Sequence, residues 1–329
     1  MSLCDVQIFF RSACARAWYS QERRHDWSMT DPTHIGTSSA DSSTLANTPG
    51  VYAAPRRRVP ILMYHSISDV TSKVFAPFVI PPHEFAAQME YLASHGYTTL
   101  TLADLMRIRM SDNQLPPRPV VLTFDDAYAD FRETVAPLLL RYRFTASLYV
   151  TTGAVGGANF WVKGDVPRRI LTWDELREIA ATRVEIGAHS ITHRAMDALS
   201  APDLRAELAD PKAQLEDQLT QEVHTLAYPF GFESRRVRTA TAAAGYLAAC
   251  AVGYQMSADA EDRFALSRLI VLPGMEIDAY GHLLDGRGLQ SVQRARRVRS
   301  LVWRAVRRAA QVRTRIASAP MDTPLGEGE

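Results

Sequence analysis

The sequence predicts an α/β fold, a distorted (β/α) barrel of about seven or eight parallel strands followed by a C-terminal basic helix. Three observations predict it. Short apolar runs alternate with amphipathic stretches through most of the chain. Several of those runs stop at a polar tip, as strands covered on both faces of a parallel sheet do. The chain is also large enough, at 329 residues with 47% hydrophobic side chains, to bury a sizeable core.

Taken in order, the strands are expected at 59–64, 97–100, 120–124, 146–150, 184–187, 225–228, 247–252 and 266–272, each on an apolar run. Between them, helices are expected at 82–95, 102–110, 128–142, 173–181, 201–221 and 234–245, where apolar residues recur at helical spacing. Ahead of these elements, residues 1–57 read as a disordered tail, because the Ser-, Thr-, Asp- and Pro-rich stretch from 20 onward buries too little surface to order itself. The folded domain then spans 58–286, and 316–329 forms a second tail.

The net charge of +1 hides a local excess: residues 287–315 hold ten arginines and no acid, so the rest of the chain is acidic. Val292, Ala295, Val298, Val302, Val306, Ala309 and Val312 recur there at helical spacing, with Trp303 nearby. A basic amphipathic helix follows, which either touches an anionic membrane surface or partner, or packs on the domain with a solvated basic face. No nucleic-acid partner is expected. No apolar stretch reaches the roughly 18 residues of a spanning helix, and Asp5 and Gln7 interrupt the place where a cleaved signal needs an apolar core. The expectation is a cytoplasmic protein, membrane-peripheral if the basic helix binds lipid. Cys4, Cys14 and Cys250 have neither metal-type spacing nor a disulfide framework.

The chemistry gathers at strand ends. The run from Pro119 to Phe124 delivers Asp125 and Asp126, and in α/β folds the loops leaving such tips build the active site. One aspartate alone could cap the following helix, but two in a row call for more. A second run ends in His189-Ser-Ile-Thr-His193, and on a helical turn that spacing puts both imidazoles on one side. Two histidines and one carboxylate leave coordination positions open, as a catalytic metal site does. The second carboxylate can then take a proton from the water that a metal activates. Which aspartate does which is left open by the residues themselves. A proton donor is still needed, and His65, at the end of Pro60–Ser66, closes another strand toward the same rim. Its other reading is a hydrogen-bonded core histidine. His282, Gly-flanked and without a clear preceding strand, is a rival acid. No Gly-x-Ser-x-Gly elbow and no Gly-x-x-x-x-Gly-Lys loop is present, which argues against a serine esterase and a nucleotide enzyme.

These residues resemble the polysaccharide deacetylase family, the NodB-like carbohydrate esterases. Thr123-Phe-Asp-Asp126 resembles its first motif, His189–His193 its second and Leu226-Ala-Tyr-Pro-Phe-Gly231 its third, over about 59–284. Tyr64-His65-Ser66 is similar to the subgroup that acts on bacterial exopolysaccharide, including poly-N-acetylglucosamine deacetylases. The resemblance implies Asp125 as general base, Asp126, His189 and His193 as ligands of a divalent metal, and His65 as general acid. Zinc is the expected metal, with Co2+, Ni2+ and Fe2+ as alternatives. It further implies that Tyr228, otherwise a strand end before a Pro-Gly turn, offers its backbone amide to the oxyanion, with Pro229 shaping the groove wall, and that Arg268, otherwise a surface residue on a strand flank, orients the base. Trp161, in the long Gly-rich loop 153–167, either stacks on a sugar or pins that loop to the barrel. Arg194 departs from the pattern, since many relatives have proline there. The implied activity is N-deacetylation of a polysaccharide or lipid-linked saccharide; O-deacetylation by the same site and silent carbohydrate binding are the alternatives. Related enzymes often act outside the cytoplasm, so the resemblance leaves that location open too.

Overall fold

The computed structural model describes residues 58–289 apart from 71, 73, 112 and 163–165. The expected tails, 1–57 and 316–329, and the basic helix beyond Leu289 lie outside the described residues, as do Cys4 and Cys14. No described helix is long and apolar enough to cross a membrane.

Among the described residues, eight strands form one sheet in which every pairing is parallel: β1 (Ile61–Tyr64), β2 (Thr98–Leu100), β3 (Pro119–Phe124), β4 (Ala146–Val150), β5 (Val184–Ala188), β6 (Thr225–Ala227), β7 (Ala248–Cys250) and β8 (Leu269–Ile270). The order is β7-β6-β5-β4-β3-β1-β8, with β2 beside β3. One edge of β3 serves two neighbours in succession. Thr98–Leu100 pairs with Pro119–Val121, and then Ser147 and Leu148 take over at Thr123 and Phe124. This shared edge is the distortion of the expected barrel. The ring closes through 266–270: Leu266 bridges Cys250 in parallel, and three residues later β8 pairs Leu269 with Leu62. The expected strand 266–272 is therefore split between two neighbours, and only Leu269 and Ile270 form a ladder.

Helices cover the outside: α1 (Pro82–Ser94), α2 (Leu102–Arg109), α3 (Ala136–Tyr142), α4 (Trp173–Ala180), α5 (Ala201–Leu219), α6 (Arg235–Ala243) and α7 (Ile277–Leu284). Starts carry the signals that helix ends require. Thr101, Thr172, Ser200 and Ser234 each accept an orphan amide of the first turn, and Thr172 with Glu175 makes a capping box. The helix expected at 128–142 begins late, with a π-turn at Phe131–Val135 before α3. The residues before it are held extended, because Tyr128 bridges Ile170 and the Ala129 amide donates to the Arg169 carbonyl (3.0 Å).

The period of two along each strand sorts side chains into two cores. Ile61, Val121, Tyr149, Ala227, Ala248, Cys250 and Leu266 fill the barrel, and Leu102, Leu105 and Met106 of α2 close its lower end. Their neighbours Leu62, Tyr64, Val120, Leu122, Phe124, Leu148 and Val150 point outward beneath the helices. Gly187 stands where an interior side chain would be, because the Tyr149 ring occupies that space: a Cβ there would lie 2.6 Å from ring atoms and 2.9 Å from the Thr225 carbonyl. Gly187→Ala is accordingly expected to destabilise the fold by about 1–3 kcal/mol, the usual cost of overpacking a filled core. Urea unfolding checks this, and a loss below about 0.5 kcal/mol would show that the interior yields.

Candidate active site

The upper end of the barrel gathers the strand tips. The Asp125 amide still donates to the Tyr64 carbonyl (3.0 Å), so this residue continues the β3 ladder and shares the inward face of Val121 and Thr123. Asp126 and Ala127 then turn left-handed, with φ of 78° and 58°. That reversal sends the two carboxylates to different partners.

Asp125 meets Arg268, fully buried, in a two-pronged pair: Nη1 to Oδ1 at 2.6 Å and Nη2 to Oδ2 at 2.8 Å. The same guanidinium donates through Nε to the Ala251 carbonyl (3.0 Å) and through Nη1 to the Thr123 hydroxyl (3.2 Å). Burial alone would raise the Asp125 carboxyl, but the charge of Arg268, with His189 and His65 nearby, holds it below the usual range. Arg268, expected to orient the base, is thus in contact with Asp125.

Asp126 meets the histidines. His189 follows β5, and its Nδ1 donates to the Ala227 carbonyl (2.7 Å), since a carbonyl can only accept. Its Nε2 lies 3.4 Å from Asp126 Oδ1, with burial lowering the imidazole but Asp125 and Asp126 raising it above its ordinary value, and His193 Nε2 lies 3.2 Å from the same oxygen. The expectation of a helical turn is corrected: residues 189–193 form an irregular loop, with Ser190 at φ 66° and His193 at φ 53°. The left-handed turns, rather than a helical period, bring the rings to a centroid separation of 5.0 Å. The loop is held throughout. Val150 accepts from the His189 amide, Thr152 and Gly153 donate to Ser190 and Ile191, and the Ser190 hydroxyl accepts from the His193 amide.

The donor set fits a cation. Asp126 Oδ1 is buried without a hydrogen-bond partner, and the three candidate ligand atoms lie within 4.8 Å of one another. Three ligand atoms converging about an unpartnered carboxylate oxygen are what a divalent metal would satisfy, and two imidazoles with one carboxylate suit zinc and its neighbours. Burial tends to raise Asp126, yet His193 and His189 push it well below the usual carboxylate range, while burial lowers His193 toward its neutral, ligating form.

The rim is aromatic. His65 lies edge-on to Phe78 (5.2 Å) and close enough to Asp125 for its charge to bear on that carboxyl. Beside it, the Ser66 hydroxyl and the Ile67 amide donate to Asp130. Trp161 stacks on the His193 ring (4.5 Å, 12°), and the half-exposed Phe160 lies edge-on to Trp161. Both readings of Trp161 keep a basis, since it packs on the core and also borders the site. Pro229 is buried at the start of a tight turn that puts Phe230, at φ 62°, edge-on against His193 (4.7 Å).

The structure corrects one assignment. The Tyr228 amide donates to the Cys250 carbonyl (3.0 Å), and its hydroxyl donates to the Phe264 carbonyl (2.9 Å) and lies 3.1 Å from the Thr241 hydroxyl, so β6–β7 pairing engages the amide expected at the oxyanion. His282 lies exposed on α7, an outer helix whose buried face packs Tyr280 against Tyr64 and Tyr91. Sequence reasoning missed Phe230, Asp130 and Glu207. Glu207 carried a signal, being an acid on the apolar stripe of α5 between Leu204, Leu208 and Pro211.

Known proteins share these features. Residues 112–249 match the family model for polysaccharide deacetylase, a span that includes all three motifs but neither His65 nor Arg268. The chain is 28% identical over 228 residues to the Bacillus subtilis protein YxkH, assigned by name to the polysaccharide deacetylases, covering 69% of this chain and 76% of that one. It is 25% identical over 171 residues to the poly-β-1,6-N-acetyl-D-glucosamine N-deacetylase of Staphylococcus aureus, covering 49% of this chain and 57% of that one. In fold it resembles a Streptococcus pyogenes deacetylase solved with acetate (TM-score 0.63, 24% identity, 70% of this chain and 99% of that one). It also resembles IcaB from Ammonifex degensii (TM-score 0.58, 19% identity, 69% and 96%).

Breaking the buried ion pair tests the geometry without any ligand. Arg268→Met leaves Asp125 uncompensated and is expected to cost about 3–5 kcal/mol of folding stability at neutral pH. Denaturant unfolding measures it; a loss under about 1 kcal/mol would mean that water reaches Asp125 freely.

Proposed function

Because the chain belongs to the polysaccharide deacetylase family, we propose that it is a metal-dependent hydrolase removing acetyl groups from N-acetylated sugars of a polysaccharide or lipid-linked saccharide. The observation that carries this reading is the meeting of Asp126, His189 and His193 on one point beside a second, separately held carboxylate, Asp125. Relatives named for poly-β-1,6-N-acetyl-D-glucosamine support that class of polymer as the substrate.

Asp126, His189 and His193 would hold a divalent cation, zinc by the nature of the donors. When bound, it supplies Lewis acidity, which acidifies water near neutral pH and stabilises negative charge on a carbonyl oxygen. Asp125 takes a proton from the attacking water as the new C–O bond forms at the acetyl carbon. Arg268 keeps Asp125 ionised and fixes its plane, so the carboxylate is oriented before substrate arrives. His65, at the rim, gives its proton to the departing nitrogen as the C–N bond breaks, leaving acetate and a free amine. Trp161, Phe160 and Phe230 border the entrance with faces on which sugar rings can stack.

The test is acetate release by the metal-loaded protein from N-acetylglucosamine oligomers and from an O-acetylated ester. Release from the amide is expected; release from the ester alone would make it an O-deacetylase, and release from neither a silent binder. Asp125→Asn is expected to keep its metal, read by mass spectrometry, and to lose about 100-fold or more in turnover. His189→Ala is expected to lose both. Should Asp125→Asn empty the site, the division of labour between the two aspartates is wrong.

A further inference from the structure

Glu207 is an acid placed where its helix should be apolar. It lies on α5, 4% exposed, on the stripe that buries Leu204, Leu208, Pro211 and Leu215. Among the described residues no cationic side chain pairs with it. A lone buried carboxylate is costly unless donors surround it. Here all of them come from one place, Ile191 and Thr192 in the loop between the histidines. The Ile191 amide (2.8 Å) and the Thr192 amide (3.0 Å) both donate to Oε2, and the Thr192 hydroxyl donates to Oε1.

That place is under strain. Ser190 and His193 flank it in left-handed backbone, each costing on the order of 1 kcal/mol unless the surroundings over-determine it. With Ile191 and Thr192 folded into a tight bend, their two amides point the same way, toward the interior, and need a shared acceptor. The carbonyl side of the bend is pinned from another element: the Ile191 carbonyl accepts from Gly153, where a Cβ would fall 2.5 Å from that oxygen. Glu207 supplies the opposing hold. The loop is clamped between 152–153 on one side and α5 on the other, and His193 has no hydrogen bond at Nδ1 to orient its ring. His189 is oriented by the Ala227 carbonyl, whereas the His193 ring is held by packing against Trp161 and Phe230 and by the backbone that carries it.

We propose that Glu207 is a positioning residue for the metal site: by gripping the Ile191 and Thr192 amides it sets the separation of His189 and His193, and with it the affinity for the cation. This rests on the metal reading given above. It adds that the grip comes from a helix outside the three motifs.

Full-length apo-protein titrated with Co2+ against a chelating competitor provides the test, with the visible spectrum of the bound ion and the thermal midpoint of the apo-form recorded alongside. Glu207→Ala is expected to weaken Co2+ binding by about 10- to 100-fold, the range for residues that orient ligands, and to alter the absorption bands. Glu207→Gln, which still accepts an amide through its carbonyl oxygen, is expected to recover part of both. If Glu207→Ala does not fold, the glutamine variant decides on the same two readouts. Affinity and spectrum within about twofold of wild type, whatever the midpoint does, would overturn the proposal and leave Glu207 a purely structural acid. Failure of the wild type itself to take up Co2+ would overturn the metal reading and this proposal together, and is visible before any variant is made.

Discussion

The buried pair of Arg268 and Asp125 is the constraint on which the rest depends. Arg268 sits in the stretch that closes the barrel, and its guanidinium reaches across to β3 and to the carbonyl of Ala251 after β7. It is therefore a tie between the last strand and the strand that begins the chemistry. Two fully buried charges gain little net stability over an apolar pair, because desolvation offsets most of their attraction. What they gain is placement, since a fork of two hydrogen bonds fixes both the position and the plane of the carboxylate.

The site is also where the backbone is most strained. Among the described residues, five of the nine non-glycine positions with positive φ are Asp126, Ala127, Ser190, His193 and Phe230, all in the loops around the histidines. Each is held by its neighbours. The turn after Asp126 is closed by the Leu171 amide on the Ala127 carbonyl (3.0 Å), and the histidine loop by contacts from β4, 152–153 and α5. The strain is a local cost that the surrounding hydrogen bonds offset, and it lets one carboxylate point down the barrel while the next faces the histidines.

Much of this was legible in the residues. Apolar runs ending in Asp125-Asp126 and in His189 gave strands and their tips, since a strand buried on both faces leaves a continuous signal. The seam at 266–270 was legible only as an apolar run, because its hydrogen bonds are shared between two partners far apart in sequence. The histidine spacing suggested a helix, whereas Ser190 and His193 turn left-handed under tertiary hydrogen bonds that no local pattern encodes. Whether the Tyr228 amide is free depends likewise on the neighbouring strand, and here Cys250 claims it, as its reading as a strand end has it. Glu207 was legible as an anomaly in α5, but its partners lie on a loop that sequence alone does not bring near.

The plug formed by Leu102, Leu105 and Met106 carries one last implication. With the barrel packed by side chains and shut below, approach to Asp125, Asp126, His189 and His193 is left to the upper end. Phe160, Trp161 and Phe230 stand along that end, the last two against the His193 ring. For the hydrolysis proposed above, a polymer resting on that end would obstruct the exit of the small acid, so the order of departure would follow from the closed floor as much as from the rim.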